Sequence, residues 1–317
     1  MSFAVLTQQT SGFDTIILED KIALTKAVIL PDYGAMLHSF IIKTGTGHFN
    51  IIDGYSNLQV LENEIADSFK SCKLSPFACR IPAGVYTFNN HDYKLQTNRS
   101  DGSSIHGLLF NKRFKLMDQI YDDNQASVRL RYDYEKTDNG YPFVYSCEIL
   151  YTLQTGNMLQ VQTTILNRGH QSIPLVDGWH PYFTLGGMID EWMLQFNASS
   201  MLEFDENLVP TGREIPFTKF LEKQSLKGID LDNSFVLDKD FKSAACTLLN
   251  PTNNLSVSFF PDESYPYLQI YTPPGRKSIA IENLSGAPNC FNNKIGLIVL
   301  PAGESKTFTV RYKTNKE

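Results

Sequence analysis

Ser127-Val128-Arg129-Leu130-Arg131-Tyr132-Asp133-Tyr134 decides the fold class. In an extended chain successive side chains point to opposite faces, so Val128, Leu130, Tyr132 and Tyr134 share one face and polar residues take the other. The same period of two recurs outward from this stretch. Glu148 to Leu153 and Leu159 to Ile165 flank Gln154-Thr155-Gly156-Asn157, which reads as a hairpin turn. Leu255 to Phe260 and Thr307 to Thr314 repeat the alternation. Tyr267 to Tyr271 is joined to Lys277 to Glu282 through the turn residues Pro273-Pro274-Gly275. Helical periodicity is sparse: Ser56 is placed to cap a short helix carrying Leu58, Leu61 and Ile65, and Phe217 to Leu221 fits one further turn. No linker, composition shift or repeat divides the chain. It reads as all-β, one domain over residues 1–317, a large β-sandwich with few short helices.

With 317 residues, 42% of them hydrophobic and 20% charged, the chain has material for a substantial core and the balance of a soluble globular protein. A net charge of −6 and scattered arginines argue against a nucleic-acid or anionic-membrane partner, since phosphate binding needs a basic face. The five cysteines form an odd set with no C-x-x-C pair, so a disulfide framework and a zinc site are not expected and a reducing compartment is. Met1 to Asp20 shows no basic start followed by an apolar run, and no window approaches the roughly eighteen apolar residues of a membrane span. The expectation is a cytoplasmic protein.

Two segments stand out for chemistry: Asp177-Gly178-Trp179-His180-Pro181-Tyr182-Phe183 and Ile281-Glu282-Asn283. A histidine acid and a carboxylate base are what proton shuffling on a sugar requires, and neighbouring aromatic residues suit the apolar faces of a pyranose ring. In Ser278 to Glu282 the alternation places Ile279 and Ile281 toward the core and Ser278, Ala280 and Glu282 opposite, as a groove would need. The commoner occupant of such a position is an exposed glutamate at a strand end. In the other segment Gly178, His180 and Tyr182 fall together, with Trp179, Pro181 and Phe183 on the far side. Pro181 favours an edge strand or an exit into a loop. Taken alone, His180 and His106 read as structural histidines. Arg80 reads equally as a sugar-hydroxyl donor or an ion-pair partner, and Asp232 as the start of an Asx-turn. There is no G-x-S-x-G, no phosphate-cradling glycine loop and no His/Cys cluster at metal-ligand spacing.

In order along the chain, Arg80-Ile81, Ile105-His106-Gly107, Gly178-Trp179-His180-Pro181-Tyr182-Phe183, Asp232-Asn233-Ser234-Phe235 and Ile281-Glu282 resemble the aldose 1-epimerase (galactose mutarotase) family. The likeness runs from about Leu24 to Arg311. It includes Ala287-Pro288-Asn289-Cys290-Phe291-Asn292 and Gly296 to Glu304. The resemblance implies a galactose mutarotase-like supersandwich and a mutarotase that interconverts the anomers of a free hexose. Glu282 would be the general base, His180 the general acid, and His106 would assist at the ring oxygen. Arg80 and Asp232 would bind hydroxyls, with Tyr182 and Trp179 against the sugar. A small-molecule sugar is the implied partner, and no metal or organic cofactor is required. An ionised carboxylate beside an imidazolium is the expected resting pair. Two positions depart from the family pattern: Cys79 stands where asparagine is common, which bears on sugar specificity, and Asn283 stands where proline is common. A phosphorylated or modified sugar is the alternative substrate, with Arg276 close to Glu282 in sequence. A sugar-binding protein without turnover is the alternative from another class.

Overall fold

The computed structural model describes residues 1–45, 47–96, 99–238 and 243–316, with side chains through residue 315. Strand accounts for 52% of the structure and helix for 7%. Among the described residues three large antiparallel sheets dominate, of five, nine and eight strands. The five-stranded sheet is a meander from Phe3–Thr10 to Gly47–Asn50. The nine-stranded sheet contains the opening stretch within Gln125–Glu135, paired with Val144–Gln154. That strand is hairpinned to Met158–Asn167 across residues 155–157, as the turn signal required. The two other alternating stretches pair directly, Leu255–Pro261 against Ser305–Lys316.

The eight-stranded sheet positions the site. Its order runs Pro210–Pro216, Ala198–Phe204, Asp232–Leu237, Tyr267–Tyr271, Ile279–Leu284, Gly178–Trp179, Lys73–Leu74, with Tyr182–Phe183 also paired to Ile279–Leu284. Its inner face packs on the nine-stranded sheet. Phe183 meets Phe259 and Tyr312 at ring-centroid distances of 4.8 and 5.6 Å, and Trp179 meets Tyr151 at 6.1 Å. Side chains one residue out of phase therefore project from the outer face, away from this core. Burying the interleaved aromatic layer is the main stabilising term, at roughly 25 cal/mol per Å² of apolar surface.

Three local expectations need correction. The helix Leu58–Ser68 is capped by Asn57, whose Oδ1 accepts the Val60 N–H at 3.0 Å, and not by Ser56. Phe217 to Leu221 forms only a hydrogen-bonded turn, closed by Leu221 N–H to Thr218 O at 3.2 Å. The His180 segment lies inside a sheet, not at its edge. Pro181 instead splits it into two short pairings with the same partner strand, and the missing N–H falls in the gap between them.

Candidate active site

The outer face of the eight-stranded sheet holds a cleft of about 570 Å³ that His106, His180 and Glu282 line together. Each arrives on a different element. Ile279–Leu284 is buried along its whole length, and Glu282 lies within it, only 2% exposed. Gln269 is directly opposite on the neighbouring strand, and its Nε2 donates to Asp232 Oδ1 at 2.9 Å. The carboxylates of Asp232 and Glu282 are thereby set by the register of three adjacent strands.

His180 is held from both sides by backbone. Its N–H donates to Cys72 O at 3.1 Å, and its carbonyl accepts the Ser71 N–H at 2.8 Å. Gly178 upstream allows the close approach: a Cβ there would stand 2.5 Å from Leu284 Cδ2. Beneath this segment lies a fully buried ion pair, Lys73 to Asp177 at 2.6 Å. Tyr265 OH donates to Asp177 at 2.7 Å, and Lys73 Nζ donates to Gly178 O at 3.1 Å while lying 4.6 Å from the Trp179 ring centroid.

Arg80–Ile81 and Ser104–Ile105 form a two-stranded ladder that delivers Arg80, Cys79 and His106 to the cleft. Cys79 and His106 both have left-handed backbone (φ 52° and 61°), and His106 N–H donates to Cys79 O at 3.0 Å. Gly107 follows at φ 82°, where a Cβ would come within 2.3 Å of Ser75 O. The His106 ring stacks at a tilt on Phe69, 4.7 Å away, and Phe69 is the left-handed residue that ends the Leu58–Ser68 helix. Strained, non-glycine backbone at such positions is held by its surroundings and clusters at working sites.

The reactive atoms are close. His180 Nε2 lies 3.3 Å from Glu282 Oε1. The His106 and His180 rings meet edge to face at 4.7 Å, and Tyr182 stacks on His180 at 5.2 Å. Burial dominates the electrostatics. It pushes the Glu282 carboxyl well above its usual range, an effect the Asp232 charge reinforces. It pulls the His180 imidazole down to about 4. It also pulls His106 well below the usual histidine range, with help from His180, Arg99 and Arg80. Burial therefore works against the expected carboxylate–imidazolium pair from both sides, favouring the proton on the carboxyl over the imidazole. Burial likewise holds Cys79 as a neutral thiol, a weak hydrogen-bonding group beside Glu282. Among the described residues, Glu282 Oε2 and the Nδ1 atoms of both histidines are buried with no hydrogen-bond partner.

Of the residues singled out in the sequence, Arg80, His106, His180, Tyr182, Asp232 and Glu282 all line the cleft. Glu282 is not the exposed strand end that its surroundings suggested, and Asp232 opens a strand where an Asx-turn was read. Arg80 combines both of its readings, reaching the cleft while paired with Asp101 and donating to Ser103 Oγ at 2.7 Å. Trp179 does not reach the cleft; it belongs to the inter-sheet core, as the alternation with His180 dictates. Arg276 is likewise absent from the lining, bound to Asp190 at 2.8 Å and to Asp230 at 2.5 Å. Sequence reasoning missed Phe69, Gln269 and Tyr271. Gln269 had a signal, a lone amide in the apolar strand Tyr267–Tyr271; Phe69 had none.

The rim is built from loops. Lys70 pairs with Asp53 at 3.0 Å, and Ser278 Oγ donates to the same carboxylate at 2.7 Å. Lys277 is exposed and makes no ion pair among the described residues. Phe204 and Leu208 enter from the edge hairpin, whose tip is closed by Asp205 Oδ1 accepting N–H groups from Asn207 and Val209 at 2.8 and 3.0 Å.

Known proteins resemble this chain in sequence and in fold. The chain is similar to the uncharacterized protein YihR of Escherichia coli, 29% identical over 239 residues, covering 73% of this chain and 74% of that one. It is 27% identical over 197 residues to the aldose 1-epimerase of Streptococcus thermophilus, covering 57% and 53% of the two chains. The fold matches a galactose mutarotase-like protein from Clostridium acetobutylicum with a TM-score of 0.89 at 19% identity, over 100% and 99% of the chains. It also matches the galactose 1-epimerase of Lactobacillus acidophilus at 0.82 and 20% identity, over 99% and 98%. The aldose 1-epimerase family model fits residues 15–313, so by sequence and by fold this chain belongs to the aldose 1-epimerase family.

Proposed function

We propose that the protein is a mutarotase acting on a free hexose, with Glu282 as base and His180 as acid. The observation that carries this reading is the 3.3 Å separation of Glu282 Oε1 and His180 Nε2 on the buried floor of a sugar-sized cleft. The anomeric hydroxyl oxygen and the ring oxygen are both bonded to C1, so an acid and a base serving them must be neighbours. Ring opening moves the anomeric hydroxyl proton to Glu282 and a proton from His180 to the ring oxygen, as the C1–ring-oxygen bond breaks and the carbonyl forms. Rotation about C1–C2 and closure with the roles reversed give the other anomer.

The proton inventory supports the assignment. The cyclic sugar meets carboxylate and imidazolium; the open-chain aldehyde meets carboxylic acid and neutral imidazole. Both states carry one proton on the pair. A pair holding one proton therefore serves ring opening and closure alike. Each proton transfer contributes on the order of 10²–10⁴ in rate. His106 adjoins the reacting pair, Arg80 and Asp232 with Gln269 offer donors and acceptors to hydroxyls, and Tyr182 with Tyr271 gives an aromatic wall.

Polarimetry on freshly dissolved α-D-galactose and α-D-glucose tests this. Acceleration that vanishes in Glu282→Gln supports the reading, and no acceleration by folded protein sinks it. A second reading is favoured by Lys277, unpaired at the rim: a sugar with an anionic substituent. Stronger acceleration with glucose 6-phosphate than with glucose would select it, and a Lys277→Ala variant would then lose the preference.

A further inference from the structure

We propose that His106, His180 and Glu282 also bind one first-row transition dication, of the Zn²⁺ or Co²⁺ type, and that this ion silences the site reversibly by occupying the place of the reacting sugar atoms. One ligand atom from each residue lies within 4.8 Å of the others. Two ligands about 2.0–2.1 Å from a tetrahedral zinc stand roughly 3.3–3.4 Å apart. His180 Nε2 and Glu282 Oε1 already stand at 3.3 Å. The third donor has only to swing inward by about 1 Å or slightly more to complete the face of a tetrahedron with ordinary bond lengths.

Chemistry selects the ion. Two imidazoles and one carboxylate form a borderline donor set that suits zinc, cobalt and nickel. Magnesium and calcium need about six or more oxygen ligands and find one carboxylate here. All three side chains are at least nine-tenths buried, and Glu282 Oε2 and both Nδ1 atoms lack hydrogen-bond partners, so coordination by these residues breaks no protein hydrogen bond at those atoms. The cleft provides entry and a fourth position for water. Among the described residues neither Nδ1 has a carboxylate to orient it, as tuned metal sites do. The site is thus an acid–base pair that a metal can invade, not a resident metal centre. Binding rests on the donor geometry alone; the silencing rests on the proposed roles of Glu282 and His180.

The test uses the full-length protein without an affinity tag, titrated with Co²⁺ and read by its visible absorption, with no sugar present. One saturable Co²⁺ per chain, displaced by Zn²⁺ and by neither Mg²⁺ nor Ca²⁺, is expected. Glu282→Gln and His106→Asn should each weaken binding by roughly tenfold or more, while Cys79→Ala binds as the wild type does. Absence of a saturable signal, displacement by Mg²⁺, unchanged binding in both ligand variants, or loss of binding in Cys79→Ala overturns the site. A protein that binds Co²⁺ but turns over no sugar refutes the catalytic reading and the silencing with it, and leaves the metal site standing. If mutarotation is present, Zn²⁺ should inhibit it competitively with sugar and a chelator should restore it.

Discussion

Asp177 and His180 sit three residues apart, each beside a buried partner of opposite acid–base character, and the two pairs are finished differently. Lys73 and Asp177 meet at 2.6 Å with neither side chain exposed, and Tyr265, the Gly178 carbonyl and the Trp179 ring take up further valences. His180 and Glu282 meet at 3.3 Å, keep unpartnered atoms and open on a cleft. The first pair is surrounded by the protein itself. The second is left incomplete, and a substrate can complete it. Position along the chain and residue chemistry hardly distinguish them; access to the cleft does.

The largest effect expected from this contrast is on turnover. Glu282→Gln should lower kcat by a factor on the order of 10²–10⁴, measured by polarimetry, while the urea unfolding midpoint stays at the wild-type value. A large stability loss in that variant would erase the distinction between the pairs. Lys73→Met leaves Asp177 as an uncompensated buried carboxylate and should cost about 3–5 kcal/mol of unfolding free energy, read by urea denaturation. A cost below about 1 kcal/mol would show that the ion pair contributes no more than an exposed one.

The pH dependence sharpens the comparison further. Activity needs one proton on the His180–Glu282 pair. Acid adds a second by charging His180, whose imidazole is held down to about 4. Alkali removes the only one from Glu282, whose carboxyl is held well above its usual range. The rate should follow a broad bell whose limbs belong to the pair as a unit, and a flat profile would contradict the assignment. The smallest effect is expected at Gln269, which saturates Asp232 from the side. Gln269→Leu removes that donor and should raise KM severalfold, about 1 kcal/mol, with kcat held; a fall in kcat alone would place Gln269 in the chemistry.

The sheets were legible because half-buried antiparallel strands carry their burial in a period of two, and Ser127 to Tyr134 displays it plainly. Glu282 was legible as an outward residue of its strand but not as a buried one. Its neighbours His180, Cys79 and Tyr182 are distant in sequence. Parity was the better guide at Trp179: two-residue alternation set it opposite His180, and there it stays, while the chemistry of an aromatic beside a histidine pointed into the cleft. Pro181 suggested an edge because proline forbids local pairing. A strand can nevertheless stay interior when the gap falls on that one residue, and no local signal reports it.

The three adjacent strands that carry Asp232, Gln269 and Glu282 constrain how such a protein diversifies. Because the register of interior strands fixes the reacting groups, a slip of one residue would turn them all to the other face, so this part of the design is effectively frozen. The Phe204–Leu208 hairpin tip and the Lys70–Asp53 corner carry no such constraint, since surface loops accept insertion and exchange. Reprogramming which sugar is admitted then becomes a matter of swapping a few rim segments onto an unaltered reaction floor. Laboratory evolution aimed at new substrates has its most permissive ground at residues 204–209.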